Sequence, residues 1–153
     1  MTKVVHVGIT VSDLERAVRF YREGLGFEVT ARQVSDAPYL GMTGYPGVKI
    51  AAAFVKLPGD SVFLEIQQYS RVPAEPQREP GTARAGSSHL CLVVDDFDSA
   101  LERALAFGGT PVGEPIAIDR GINKGGRGIY LRDPDGYTVE LFQRGPQGGV
   151  DRA

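Results

Sequence analysis

The 153-residue chain has only two histidines, His6 and His89, and each opens the same kind of stretch. His6-Val7-Gly8-Ile9-Thr10-Val11-Ser12-Asp13 returns as His89-Leu90-Cys91-Leu92-Val93-Val94-Asp95-Asp96, 83 positions later (89 minus 6). The match runs on without a gap, Leu14 with Phe97, Ala17 with Ala100, Val18 with Leu101 and Val29 with Val112. Two glutamates repeat as well. Leu64-Glu65-Ile66 and Val139-Glu140-Leu141 each follow a Pro/Gly/Asp turn and set a carboxylate in the middle of an aliphatic strand. An ionised carboxylate is costly to bury there without a partner. Taken singly, a strand histidine reads as a satisfied polar residue and a strand glutamate as part of a solvated face. Taken as repeat-equivalent pairs, His6, Glu65, His89 and Glu140 point to one shared divalent cation. Two imidazoles and two carboxylates suit zinc, nickel, cobalt, manganese or ferrous iron, and do not make a closed thiolate zinc site. An octahedral ion held by four protein ligands keeps two positions for water or substrate.

Positioning those four groups is a matter of strand alternation. In residues 4–11, Val5, Val7, Ile9 and Val11 face one way and His6, Gly8 and Thr10 the other. Ser12 or Asp13 reads as an N-cap for a helix carrying Leu14, Ala17, Val18, Tyr21 and Leu25 at helical spacing, closed by Gly24 and Gly26. Strands are expected at 27–34, 48–57 and 61–69, with a turn at Pro58-Gly59-Asp60, and 35–47 is too rich in turn formers to be one regular element. The second copy gives a strand from His89, a helix at 97–107 closed by Gly108-Gly109, and a strand at 110–118. A glycine-rich loop at 119–128 and strands at 129–132 and 137–143 complete it. The organisation expected is one α+β domain of two paired βαβββ modules: module 1 at 4–69, a Pro- and Gly-rich linker at 70–86, and module 2 at 87–144. In all four repeated strands the aliphatic face can pack under the module's helix, which leaves His6, Glu65, His89 and Glu140 on the opposite face.

Other residues offer less. Lys124 and Arg127, in Asn123-Lys124-Gly125-Gly126-Arg127-Gly128, could clamp an anionic or carbonyl group of a substrate. The loop lacks the spacing of a phosphate or dinucleotide loop. Phe54, Phe63, Tyr130 and Phe142 could line an apolar pocket wall or fill core, and core is the reading taken for Tyr130. Cys91, the only cysteine, cannot form an internal disulfide and reads as a small buried packing residue. Ser87 and Ser88 precede a histidine, but no third group completes a triad. A net charge of -2 with acids and bases interspersed leaves no basic stripe for nucleic acid or anionic lipid. No apolar run has membrane-spanning length and no signal pattern opens the chain, so a reduced, cytoplasmic domain is expected.

The repeat and its four candidate ligands resemble the vicinal oxygen chelate superfamily, which holds glyoxalase I, methylmalonyl-CoA epimerase, extradiol dioxygenases and bleomycin and fosfomycin resistance proteins. The resemblance is carried by 6–14, by Tyr21-Arg-Glu-Gly-Leu-Gly-Phe27, by 89–96 and by Arg132-Asp-Pro-Asp-Gly-Tyr-Thr-Val-Glu-Leu141. It implies paired βαβββ modules cupped around a metal that acts as an electrophile on a small-molecule substrate, often in a homodimer. An extradiol dioxygenase would use His6, His89 and Glu140 alone. Glu65 fills the fourth place, as in the isomerase and lyase branch, where a carboxylate such as Glu140 or Glu65 serves as general base on a carbon next to a carbonyl. A metal-free drug-binding protein is a third alternative, and the four ligands count against it. No set of glutathione-binding arginines and asparagines is present. Substrate choice would lie in loops 35–47 and 119–128.

Overall fold

A computed structural model describes residues 1–74 and 81–145. The chain divides into two compact units, Met1–Glu79 and Pro80–Ala153. In the first, β1 (His6–Thr10) leads into α1 (Leu14–Arg19), which runs on as a π-turn over Phe20–Gly24. β2 (Glu28–Ser35), a 3₁₀ helix (Pro38–Thr43), β3 (Lys49–Lys56) and β4 (Phe63–Ser70) follow. The sheet order is β1-β4-β3-β2, with β1 parallel to β4 and the remaining pairs antiparallel.

The second unit repeats the plan. β5 (His89–Val93), α2 (Phe97–Ala106), β6 (Thr110–Pro111), β7 (Ile116–Ala117), β8 (Arg127–Arg132) and β9 (Thr138–Gln143) form a sheet of order β5-β9-β8-β6, with β7 on β8. Again the first strand is parallel to the last. Each unit is a βαβββ set, and the fold is α+β with two mixed sheets. Among the described residues no helix is long and apolar enough to cross a membrane.

Side-chain period fixes what each helix covers. In the first unit Ile9, Leu64, Ile66 and Val55 are buried with Leu14, Ala17 and Val18 of α1. In the second, Leu92, Val139, Leu141, Ile129 and Leu131 are buried with Phe97, Ala100 and Ala104 of α2. Asp13 and Asp96 cap the two helices, each accepting from a backbone N–H three residues on, Arg16 at 3.0 Å and Ser99 at 3.1 Å. A second device recurs three residues after each strand glutamate. The Gln68 amide accepts from Leu14 N and donates to Ser12 O, both at 3.0 Å, tying the last strand to the start of α1. In the second unit Gln143 donates to Asp95 O at 2.6 Å from the equivalent place.

Several expectations need correction. The strand expected over 110–118 is two short pieces, because Pro111 and Pro115 supply no N–H and Gly113 lies between them. Segment 35–47 is not one regular element, as expected, and holds within it a 3₁₀ helix begun by Pro38. The π-turn adds a residue to the last turn of the first helix, so that Phe20 is as fully buried as Tyr21 and packs edge-on against it. Val5 and Val7 remain exposed, at 63% and 45%. Cys91, expected inside, is exposed. The Gln68 clamp is directly testable: Gln68→Ala removes partners from two backbone groups, each worth about 1 kcal/mol. Its urea unfolding free energy should fall by about 1–2 kcal/mol, and an unchanged midpoint would show that the clamp holds nothing.

Candidate functional site

In the first unit the parallel register sets Gly8 beside Glu65 and His6 beside Phe63. His6 is therefore one diagonal step from Glu65 on the same face, and its Nε2 lies 3.1 Å from Glu65 Oε2. Glu65 is buried, at 7% exposure. Phe54 of β3 pairs with Glu65 and presents its ring edge-on to His6, at 6.3 Å between centroids. Lys56, two residues further along β3, holds its ammonium 5.8 Å from the Phe63 ring centre.

The second unit builds the same arrangement in the same register. Cys91 lies beside Glu140 and His89 beside Thr138, and His89 Nε2 is 3.2 Å from Glu140 Oε2. Tyr130 of β8 pairs with Glu140, as Phe54 does with Glu65, and its ring tilts against His89 at 5.2 Å. Arg132, two residues further along, donates to the Thr138 hydroxyl. The half-sites differ in accessibility. The Glu140 side chain is 25% exposed, against 10% for Glu65. Glu140 also borders a recess of about 290 Å³ with Tyr130, Glu114, Ile116, Val112 and Gly128.

Neighbours of Glu140 feel its charge. Desolvation first, then the Glu140 charge and a hydrogen bond to it, push the Cys91 thiol up to about 11. Tyr130 is also raised, by desolvation, then by Glu140 and Cys91. Both side chains stay protonated at neutral pH and can donate hydrogen bonds.

The remaining candidates divide. Phe142 shares the Glu140 face and is buried, lying over Gly126 and Gly128. A Cβ on Gly126 would come within 3.2 Å of the Phe142 ring and 2.6 Å of Gln143 O, so only glycine fits there. Phe54 lies beside the first pair. Arg127 does not belong with them. It occupies the opposite face of β8 from Tyr130, where its guanidinium donates to Asp98 at 2.7 and 3.1 Å and lies 4.2 Å over the Phe97 ring. The anionic clamp expected from Lys124 and Arg127 is thus not assembled: Arg127 ties β8 to α2, and Lys124 is exposed in the loop before β8. Tyr130, expected in the core, lines the recess instead. Strand parity through 128, 130 and 132 is the signal that places it there.

The donor set fits a divalent cation. Ligand atoms bound to one ion at about 2.1 Å and at right angles lie about 3 Å apart, which is the separation within each His–Glu pair. A histidine–carboxylate hydrogen bond has the same length. Among the described residues no group of three or more His, Cys, Asp or Glu side chains is gathered closely enough to hold a metal ion. Each unit holds one such pair.

A family model described as Glyoxalase/Bleomycin resistance protein/Dioxygenase superfamily matches residues 3–141. A 2-epi-5-epi-valiolone epimerase of an Actinomyces species is 35% identical over 144 residues, which are 91% of this chain and 78% of that protein. A probable chloroplastic lactoylglutathione lyase of Arabidopsis thaliana is 31% identical over 94% of this chain, which spans 36% of its length. A glyoxalase family protein of Bacillus cereus, 20% identical, has the same fold, with a TM-score of 0.83 over 95% of each chain. The chain belongs to the Glyoxalase/Bleomycin resistance protein/Dioxygenase superfamily.

Proposed function

We propose that the protein is a divalent-metal-dependent isomerase or lyase that moves a proton on a carbon next to a carbonyl, with Glu140 as the general base. The observation that carries this reading is the difference between two otherwise matched half-sites. Both hold a His–Glu pair at about 3 Å in the same register, but the Glu140 side chain is the more open, at 25% against 10%, and it borders a recess. In this reading His6, Glu65, His89 and Glu140 hold one ion, of zinc, nickel, cobalt, manganese or iron. When bound, the ion supplies Lewis-acid stabilisation of the charge that develops on the carbonyl oxygen. The relatives named as an epimerase and a lyase support proton transfer over oxygen insertion.

The protein groups then have distinct tasks. Glu65, buried against Phe54 and His6, is a fixed carboxylate. Glu140 takes the substrate proton and returns it to the same or the adjacent carbon, and it is positioned by His89 and by the Cys91 thiol. Tyr130 offers a phenol O–H at the edge of the recess, where the first unit has only the Phe54 ring. Gly128 and Ile116 line the recess beside Glu140. A homodimer belongs to the same reading, and the exposed Val4, Val5 and Val7 suit a subunit contact.

Metal-loaded protein in deuterium oxide, offered a panel of small α-hydroxycarbonyl compounds, should exchange the C–H next to the carbonyl for deuterium by NMR. Glu140→Gln is expected to slow that exchange by about 10²–10⁴, the usual worth of a general base. Absence of exchange across the panel, or a Glu140→Gln rate equal to wild type, would refute the assignment. Arg127→Leu should leave the exchange rate unchanged while lowering the melting temperature, since its guanidinium serves Asp98 and Phe97. A selective loss of exchange in a fully folded Arg127→Leu protein would instead return Arg127 to the substrate.

A further inference from the structure

A cavity of about 460 Å³ opens in the first unit, lined by Thr10, Tyr45, Tyr69, Val72, Pro73 and Ala74. It lies on the same sheet face as the His6–Glu65 pair. Thr10 pairs with Gln67, two residues beyond Glu65, and Tyr69 lies two further on, so alternation sets all of them on one side. Thr10 is four residues from His6, and Tyr69 four from Glu65. At about 3.3 Å per residue the cavity begins about 13 Å from the pair. The stretch of β1 between them is low, because Gly8 carries no side chain. Gln67 borders it, its Oε1 3.7 Å from where a Gly8 Cβ would sit, and Tyr69 donates a long hydrogen bond of 3.5 Å to that same oxygen.

The walls are fixed before any ligand arrives. Tyr45 and Tyr69 meet edge to face at 6.3 Å, and both pack with Val72 against the buried cluster of Leu40, Val48, Ile50 and Ala52. Among the described residues no charged side chain lines the cavity, and the polar groups they bring to it are the hydroxyls of Thr10, Tyr45 and Tyr69. A charged ligand group entering it would lose water and gain no counter-ion from these side chains. An aromatic ring would gain apolar burial and edge-on ring contacts. The volume falls in the range of about 300–1,000 Å³ usual for small-molecule sites.

We propose that this cavity is a binding subsite for an uncharged aromatic ring bearing a hydroxyl-type group, held between Tyr45, Tyr69 and Val72. That the cavity takes such a ring does not depend on the isomerase reading above. The test uses benzyl alcohol as the neutral probe and benzoate as the charged one, titrated into the full-length ¹⁵N-labelled protein. Benzyl alcohol should shift the resonances of Thr10, Tyr45, Tyr69 and Val72 saturably, and benzoate should bind at least tenfold more weakly. Val72→Trp fills the cavity and should weaken benzyl alcohol at least tenfold with the melting curve preserved. If that variant fails to fold, Thr10→Val on the exposed rim serves instead, with a severalfold loss expected and an unchanged affinity overturning the proposal. Shifts scattered over the surface, equal affinity for benzoate, or unweakened binding by a folded Val72→Trp protein would also overturn it. His6→Ala separates the two readings: it should retain benzyl alcohol binding even where proton exchange is lost.

Discussion

Everything in this structure depends on a carboxylate held against an imidazole by two parallel strands. A strand has only two faces, and in each unit the helix takes one of them for the core. The other face must then carry whatever is polar, and the parallel register decides which polar groups meet. Both units set the residue two after the histidine beside the glutamate, which brings Nε2 and Oε2 to 3.1 and 3.2 Å. A shift of one residue would turn both histidines into the helix-covered core. Gln68 and Gln143 guard against such a shift by joining the last strand of each unit to the corner after the first.

On this common frame the two half-sites have diverged in a consistent direction. The first has Gly8, Phe54 and a buried Glu65. The second has Cys91, Tyr130 and an accessible Glu140 beside a recess. Each change in the second unit adds a hydrogen-bond donor or opens space around the carboxylate. Such a division suits a site where one carboxylate only holds an ion and the other must also reach a substrate. The larger cavity of the first unit, to which the described residues bring hydroxyls and rings, suits recognition rather than proton transfer.

The sequence was most informative where period and repetition acted together. The alternation around His6, Glu65, His89 and Glu140 is strict, so the sharing of a face within each unit could be read directly from residue order. Arg127 was misread because a glycine-rich, basic loop has no period, and only strand register reveals that Arg127 belongs to β8 and turns to Asp98. Tyr130 was misread for the opposite reason: an aromatic residue between Ile129 and Leu131 resembles core by composition, while parity puts it with Glu140. Phe20 escaped because the π-turn alters the helical phase that would have flagged it. The cavity at Tyr45 and Tyr69 joins a 3₁₀ loop, a strand end and the segment after β4, and no local pattern in the sequence links those three.

In the proposed function the two His–Glu pairs hold one cation. Metal stoichiometry, measured by elemental analysis after dialysis of untagged protein against nickel or zinc, tests it most directly. One ion per chain is expected in the wild type, with His6→Ala and His89→Ala each abolishing retention, since a single remaining pair holds the ion too weakly. Two ions per chain, or retention of a full equivalent after either substitution, would show that the pairs act separately and would contradict the account.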